Sequence, residues 1–252
     1  MAGSQAERLV ERGEAVKDIV TILHETPGHA APRYLPDMNI VDRPRFILDH
    51  TRLSPVPHAP EIVLHVANEA TGLWQTTEDQ LGEIGLPPPY WAFAWAGGQA
   101  LARYVLDNPG LVVAGAVLDF ASGSGLAAIA AARAGARSVV ATDIDAFAVA
   151  AIGLNAAANR VVVSACGDDL VGTDAGWGVV LAGDVFYERP MAEQVLPWLR
   201  SLHARGALIL IGDPGRAYLP KDSLRRLAEY EVPMTGALED SEIRRTAVYE
   251  LV

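Results

Sequence analysis

The chain has 252 residues, half of them apolar, and a formal net charge of −11. That length suits one large domain with a substantial core, alone or behind a short extension. The acidic balance argues against a nucleic-acid partner, whose phosphates need a basic face, and is compatible with a basic protein partner.

Other absences narrow the class further. Cys166 is the single cysteine, so no internal disulfide is available and a reducing compartment is expected. The histidines show neither ligand spacing nor cysteine company, so no metal is expected. No window approaches a membrane span, so no membrane partner is expected. Glu7, Glu11, Glu14 and Asp18 are the wrong residues for a signal or transit peptide, which points to a cytoplasmic, bacterial-type location.

In chain order, Leu9, Val10, Val16, Ile19, Val20 and Leu23 predict an amphipathic helix over residues 5–24. From Pro27 to Pro60 prolines recur, which predicts a loop-rich extension with a short helix near Arg45–Asp49. Ile62–Val66 reads as a strand opening a small β element. The expected division is therefore an extension over 1–60 and the main domain over 61–252.

Pro87-Pro88-Pro89 stops what precedes it, and Tyr90, Trp91, Phe93 and Trp95 crowd in before Gly97-Gly98. Trp91 reads as core. Trp95 fits equally a hydrophobic latch or, with Gly97 and Gly98 at a helix start, the wall of a cofactor pocket. A helix over Ala100–Leu106 should stop near Asn108-Pro109-Gly110.

From Leu111 onward strand and helix patterns alternate. Strands are expected near 115–120, 138–143, 160–164, 178–183, 206–212, 228–233 and 246–251. Helices are expected near 125–134, 146–158, 190–203 and 220–227. Such alternation makes a doubly wound, mostly parallel α/β sheet, whose ligands sit at the carboxyl ends of its strands.

The centre of the chain is Asp119-Phe120-Ala121-Ser122-Gly123-Ser124-Gly125, a strand end and small-residue turn leading into the helix formers Leu126–Ala132. The turn lets backbone approach a ligand, and the helix start offers unpaired N–H groups. Asp143, with Ile144 beside it, ends the next strand, where a carboxylate can accept from both hydroxyls of a ribose. Gly123 to Ala128 formally fits a dinucleotide fingerprint as well. Asp119 favours another ligand: a carboxylate repels phosphate and attracts the ammonium of S-adenosylmethionine.

Three further strand ends carry candidates. Asp168 and Asp169, with Leu170 beside them, put two carboxylates where an adenine amino group could be bound; a turn role is equally open for Asp168 and less so for Asp169. Gly183, Asp184 and Tyr187 put a carboxylate and a phenol on one ligand edge. Gly212-Asp213-Pro214-Gly215-Arg216 reads as a rigid turn bordering a substrate opening.

Asp-x-Ala-x-Gly-x-Gly at 119–125 and Asp143 resemble the first two motifs of class I, seven-strand S-adenosylmethionine methyltransferases. The string Pro88–Leu101, with Gly183-Asp184-Val185-Phe186-Tyr187 and Gly212–Arg216, is narrower. It resembles the lysine methyltransferases of the electron transfer flavoprotein β subunit. The resemblance implies strand order 3-2-1-4-5-7-6 with strand seven antiparallel, S-adenosylmethionine as donor and S-adenosylhomocysteine as product. It also implies a protein substrate, the flavoprotein β subunit, with Asp184 and Tyr187 at the transfer step. The alternatives are another protein, such as a ribosomal one, a small molecule, or a binding module without activity. The family's usual first-motif glycine is Ala121 here, and the Asn-Pro-Pro-Tyr signature of many nucleic-acid methyltransferases is absent.

Overall fold

The computed structural model describes residues 42–67, 88–234 and 242–252. The expected helix over 5–24 and the prolines from Pro27 to Pro36 lie outside the described residues.

Helix α1 (Arg43–His50) opens this part, with Asp42 accepting from the Arg45 amide as N-cap. A hairpin follows, β1 (Arg52–Val56) antiparallel to β2 (Ala59–Val66). Helix α2 (Ala96–Asp107) comes next, and then the alternating unit. That unit runs β3 (Ala116–Phe120), α3 (Leu126–Arg133), β4 (Ser138–Thr142), α4 (Ala146–Ala158) and β5 (Ser164–Cys166). It continues with β6 (Val179–Gly183), α5 (Arg189–Ala204), β7 (Leu208–Asp213), β8 (Leu224–Met234) and β9 (Glu242–Leu251).

Seven strands form one sheet in the order β5-β4-β3-β6-β7-β9-β8, with β9 antiparallel to β7. Counted from β3 this is the expected 3-2-1-4-5-7-6 order. Its central strands are parallel and covered on both faces, so they read as continuous apolar runs. Along β6, Val179 and Leu181 face the layer of α2 and α3, while Val180 and Ala182 face α5. Leu181 is fully buried; its truncation to Ala costs about 2–5 kcal/mol.

Two expected elements are corrected by strand pairing. The third sheet strand was placed at 160–164, yet pairing begins at Ser164, opposite Val140, and ends at Cys166. Val161–Val163 has the β-branched composition of a strand, but Val162 is 89% exposed and register with β4 decides the pairing. The helix expected over 220–227 is a single tight turn, Lys221–Ser223, followed directly by β8. Leu224–Glu229 suits a helix by propensity; pairing with β9 along its length overrides that preference.

Pro55 and Pro60 lie in the hairpin rather than in a loop. The hairpin runs through the expected boundary at residue 60, and Val56, Ala59, Ile62 and Leu64 share one core with α2 and α3. Asn155 of α4 and Asn159, its C-cap, hold β2 through its backbone: the His65 amide donates to Asn155 Oδ1 at 2.7 Å and the Val63 amide to Asn159 Oδ1 at 3.0 Å. Among the described residues, no helix is long and apolar enough to cross a membrane.

Candidate active site

The carboxyl ends of β3, β4, β6 and β7 surround a cavity of about 500 Å³, within the usual range of small-molecule sites. A recess of about 50 Å³ adjoins it and shares Trp95, Ala121, Gly123, Gly183 and Asp184 with it.

On the β3 side, Ala121 leaves the strand with φ of 51°, a left-handed conformation costly for any residue with a Cβ. Gly125, the N-cap of α3, has φ of 84°. Its conformation suits glycine, and an added Cβ would lie 3.3 Å from Ile152. Asp119 is buried, and its Oδ2 accepts from Ser122 Oγ at 2.5 Å and from the Ala128 amide at 2.9 Å. Ala128 is in the first turn of α3, so Asp119 satisfies an orphan donor there. Burial is the larger influence and pushes its carboxyl up to about 7.

At β4, Asp143 Oδ2 accepts from the Gly123 amide at 2.9 Å, and Oδ1 accepts from the Asp145 amide at 3.0 Å. Asp145 caps α4 by accepting from the Phe147 amide. Burial raises both carboxyls above their ordinary range. Both line the cavity, as does Ile144, which is 79% exposed.

On the β6 side the backbone turns again in a left-handed residue, Asp184, with φ of 59°. Aspartate tolerates that region better than most side chains. Its Oδ2 accepts from the Gly98 amide of α2 at 3.1 Å. Its Oδ1 accepts from Arg216 Nε at 3.1 Å and Nη2 at 2.6 Å. The pair is largely shielded, with side-chain exposures of 12% for Arg216 and 10% for Asp184.

The first turn of α2 lies backbone to backbone on these strand ends. A Cβ on Gly97 would stand 2.2 Å from the Gly212 oxygen and 2.5 Å from Asp184 Oδ2. Only glycine permits that approach.

Asp213, ending β7, delivers the arginine: its Oδ1 accepts from the Gly215 and Arg216 amides at 2.6 and 2.7 Å. Burial raises its carboxyl to about 6. Aromatic rings complete the lining. Trp95 Nε1 donates to the Tyr90 carbonyl at 2.7 Å. Tyr90 lies 6.0 Å from Trp95 and 6.2 Å from Tyr187, between ring centroids.

Of the residues singled out from sequence, Trp95, Ala121, Gly123, Asp143, Ile144, Gly183, Asp184 and Tyr187 line the cavity. Gly98, Asp119 and Ser122 line the recess. Gly97 and Gly125 stand behind the walls, as spacers. Asp169 and Leu170 line neither. Asp169 is exposed and accepts from the Val171 amide in a turn, and Leu170 packs against the α5-side core.

Tyr90, Asp145, Met191 and Arg216 line the cavity without having been marked as site residues. Asp145 was readable as a helix cap beside Asp143, and Arg216 as the end of a rigid turn. Met191 carried no signal.

Charge selects the ligand. Asp143, Asp145 and Asp184 line the cavity, Asp119 lines the recess, and Arg216 is the one cation among these lining residues. A diphosphate would meet unfavourable charge here, whereas a nucleoside bearing ammonium and sulfonium groups would meet favourable charge. The residues present thus fit S-adenosylmethionine.

Comparison with known proteins agrees. The model of the ribosomal protein L11 methyltransferase family matches residues 99–180. The electron transfer flavoprotein β subunit lysine methyltransferase of Xenopus laevis is 40% identical over 74% of this chain and 78% of its own length. Its Homo sapiens counterpart is 35% identical over 75% and 74%, respectively. A solved structure, the magnesium protoporphyrin IX methyltransferase from Synechocystis with bound S-adenosylmethionine, gives a TM-score of 0.45 at 15% identity. It covers 62% of this chain and 78% of that one, a likeness too distant to bear on the site. On the strength of the sequence relatives, the chain belongs to the electron transfer flavoprotein β subunit lysine methyltransferase family.

Proposed function

We propose that this enzyme transfers methyl groups from S-adenosylmethionine to lysine side chains of the electron transfer flavoprotein β subunit. The observation that carries the reading is a carboxylate-rich cavity in which Tyr90, Trp95 and Tyr187 share the lining with Asp184. The names of its relatives supply the substrate.

Asp143 is placed to accept from ribose hydroxyls, and Asp119 to answer the donor's ammonium. When bound, the donor supplies a methyl on a cationic sulfur, which keeps the bonding pair as the lysine nitrogen's lone pair takes the carbon. The protein's task is then positioning. A lysine, with a reference pKa of about 10.4, arrives as an ammonium without a lone pair and must release its proton to solvent first. Enclosure by aromatic walls disfavours the charged amine. Asp184 Oδ2 then orients the neutral nitrogen, and the Tyr187 phenol, raised above its ordinary range chiefly by burial, stays protonated and shapes the channel. A cytosolic location belongs to the same reading, resting on the lone Cys166.

The test is incubation of the enzyme with labelled donor and, separately, recombinant flavoprotein β subunit, ribosomal protein L11 and RNA. Mass spectrometry should locate added methyl groups on lysines of the β subunit. Methylation of L11 alone would move the substrate assignment, and labelled RNA with unlabelled protein would refute the protein reading.

A further inference from the structure

We propose that Arg216 sets the protonation state of the incoming lysine: it cancels the charge of Asp184, so this carboxylate orients the substrate nitrogen without holding it as an unreactive ammonium. The inference rests on the lysine-methylation reading and deepens it.

The geometry leaves Asp184 one use. A carboxylate offers about four lone-pair positions. Arg216 Nε and Nη2 take the two on Oδ1, at 3.1 and 2.6 Å, and the Gly98 amide takes one on Oδ2 at 3.1 Å. Among the described residues nothing takes the remaining acceptor position on Oδ2.

Arg216 is also held in place. Its amide donates to Asp213 Oδ1 at 2.7 Å, and its Cζ lies 6.0 Å from the Trp95 ring centroid. A guanidinium does not deprotonate in proteins, so the compensation persists across the working pH range.

The need for it follows from the reaction. An uncompensated carboxylate in a shielded site would bind lysine as the ammonium and raise its pKa, the wrong direction for a nucleophile. Pairing with Arg216 leaves the two side chains with no net charge between them while preserving the acceptor.

Among the described residues, the other ionisable groups in and beside the cavity are Asp143 and Asp145 after β4, Tyr187 and Glu188 after β6, Tyr90, and Asp213 at the end of β7. Asp213, at about 6, titrates below the window that reports on the amine, and Tyr187 is pushed further above its usual value of 10.0. Asp119, at about 7, lies on the donor side and is common to every variant below.

The test compares wild type, Arg216→Gln, Arg216→Met and Arg216→Lys on recombinant flavoprotein β subunit. Single-turnover rates at saturating substrate are taken between about pH 7 and pH 10, a range that brackets the amine's titration. Calorimetry measures β-subunit binding to donor-free enzyme. Removing a unit charge a few ångströms from the nitrogen, at an effective dielectric near 20, should move the acid limb up by about one to two pH units. Arg216→Gln should therefore lose roughly tenfold or more in rate near pH 7.5 and recover most of it near pH 9.5. Its substrate binding near pH 7.5 should be as tight as wild type or tighter. Arg216→Met keeps the aliphatic packing and repeats the reading if the glutamine variant fails to fold. Arg216→Lys should restore the wild-type limb.

A rate loss equal at every pH, or weaker substrate binding with an unmoved limb, would show Arg216 to be a prop and overturn the proposal. Failure of the wild type to methylate lysine at all would overturn the underlying reading, and this inference with it.

Discussion

Strands β3 and β6 lie side by side, and each leaves the sheet through a left-handed residue, Ala121 after one and Asp184 after the other. Each end also carries a buried carboxylate accepting from an amide in the first turn of a helix: Asp119 from Ala128 of α3, Asp184 from Gly98 of α2. The two ends differ in charge. Asp184 has a resident cation in Arg216, whereas among the described residues Asp119 is bonded only to neutral donors, and it is pushed up to about 7. A buried carboxylate without a cation is a place for a cationic ligand to dock; one with a cation is a fixed acceptor. The first suits the donor's ammonium and the second suits a nitrogen that must be neutral when it reacts.

The largest expected effect breaks the β6 side mechanically. Gly97→Ala drives a methyl against Gly212 and Asp184, which have no room to yield. It should cost about 3 kcal/mol or more in denaturant unfolding and reduce methyl transfer about a hundredfold.

Asp184→Asn is the next largest. It keeps the left-handed backbone accessible and, with its oxygen facing Arg216, replaces the Oδ2 acceptor by an amide donor; it should slow methyl transfer by about a hundredfold while donor affinity changes little.

Asp119→Asn should act on the other side, weakening S-adenosylhomocysteine binding by about 1.5–3 kcal/mol at a pH near 8, measured by calorimetry. The pH dependence follows from the raised carboxyl. Only the ionised form attracts an ammonium, so wild-type affinity should climb as pH rises through about 7, and the variant should lack that climb. Stability has the opposite slope. Between the ordinary carboxyl value of 3.8 and about 7, the ligand-free native state keeps a proton that the unfolded chain has released. Wild-type stability should thus fall with rising pH in that window, and Asp119→Asn should remove this contribution.

The smallest effect is a gain. Ala121→Gly relieves the left-handed alanine at the β3 end and should stabilise the fold by about 0.5–1 kcal/mol in the same unfolding assay, after allowance for glycine's greater freedom when unfolded.

Much of this architecture was legible from residue pattern, because parallel strands buried on both faces read as apolar runs between helix formers. Helix α4 was expected over the residues it occupies, 146–158. The failures lay where partners decide structure. The helical composition of Leu224–Glu229 yields to pairing with β9, and Val161–Val163 yields to register. The site shows the same division. Asp119, Asp143 and Asp184 are strand-end carboxylates that a local pattern reveals. The Arg216–Asp184 pair spans 32 residues of chain and depends on Asp213 shaping a turn, which no local pattern contains. Asp169 had the right residue type beside the right strand, and the fold uses it to form a turn.

The division of labour between the two carboxylates is tested most directly by one paired measurement. S-adenosylhomocysteine affinity and single-turnover methylation of the flavoprotein β subunit are taken on the same preparations of Asp119→Asn and Asp184→Asn. The account predicts a crossed result. Asp119→Asn loses affinity and recovers much of its rate at saturating donor, whereas Asp184→Asn keeps affinity and loses rate at any donor concentration. Parallel losses of affinity and rate in both variants would contradict it.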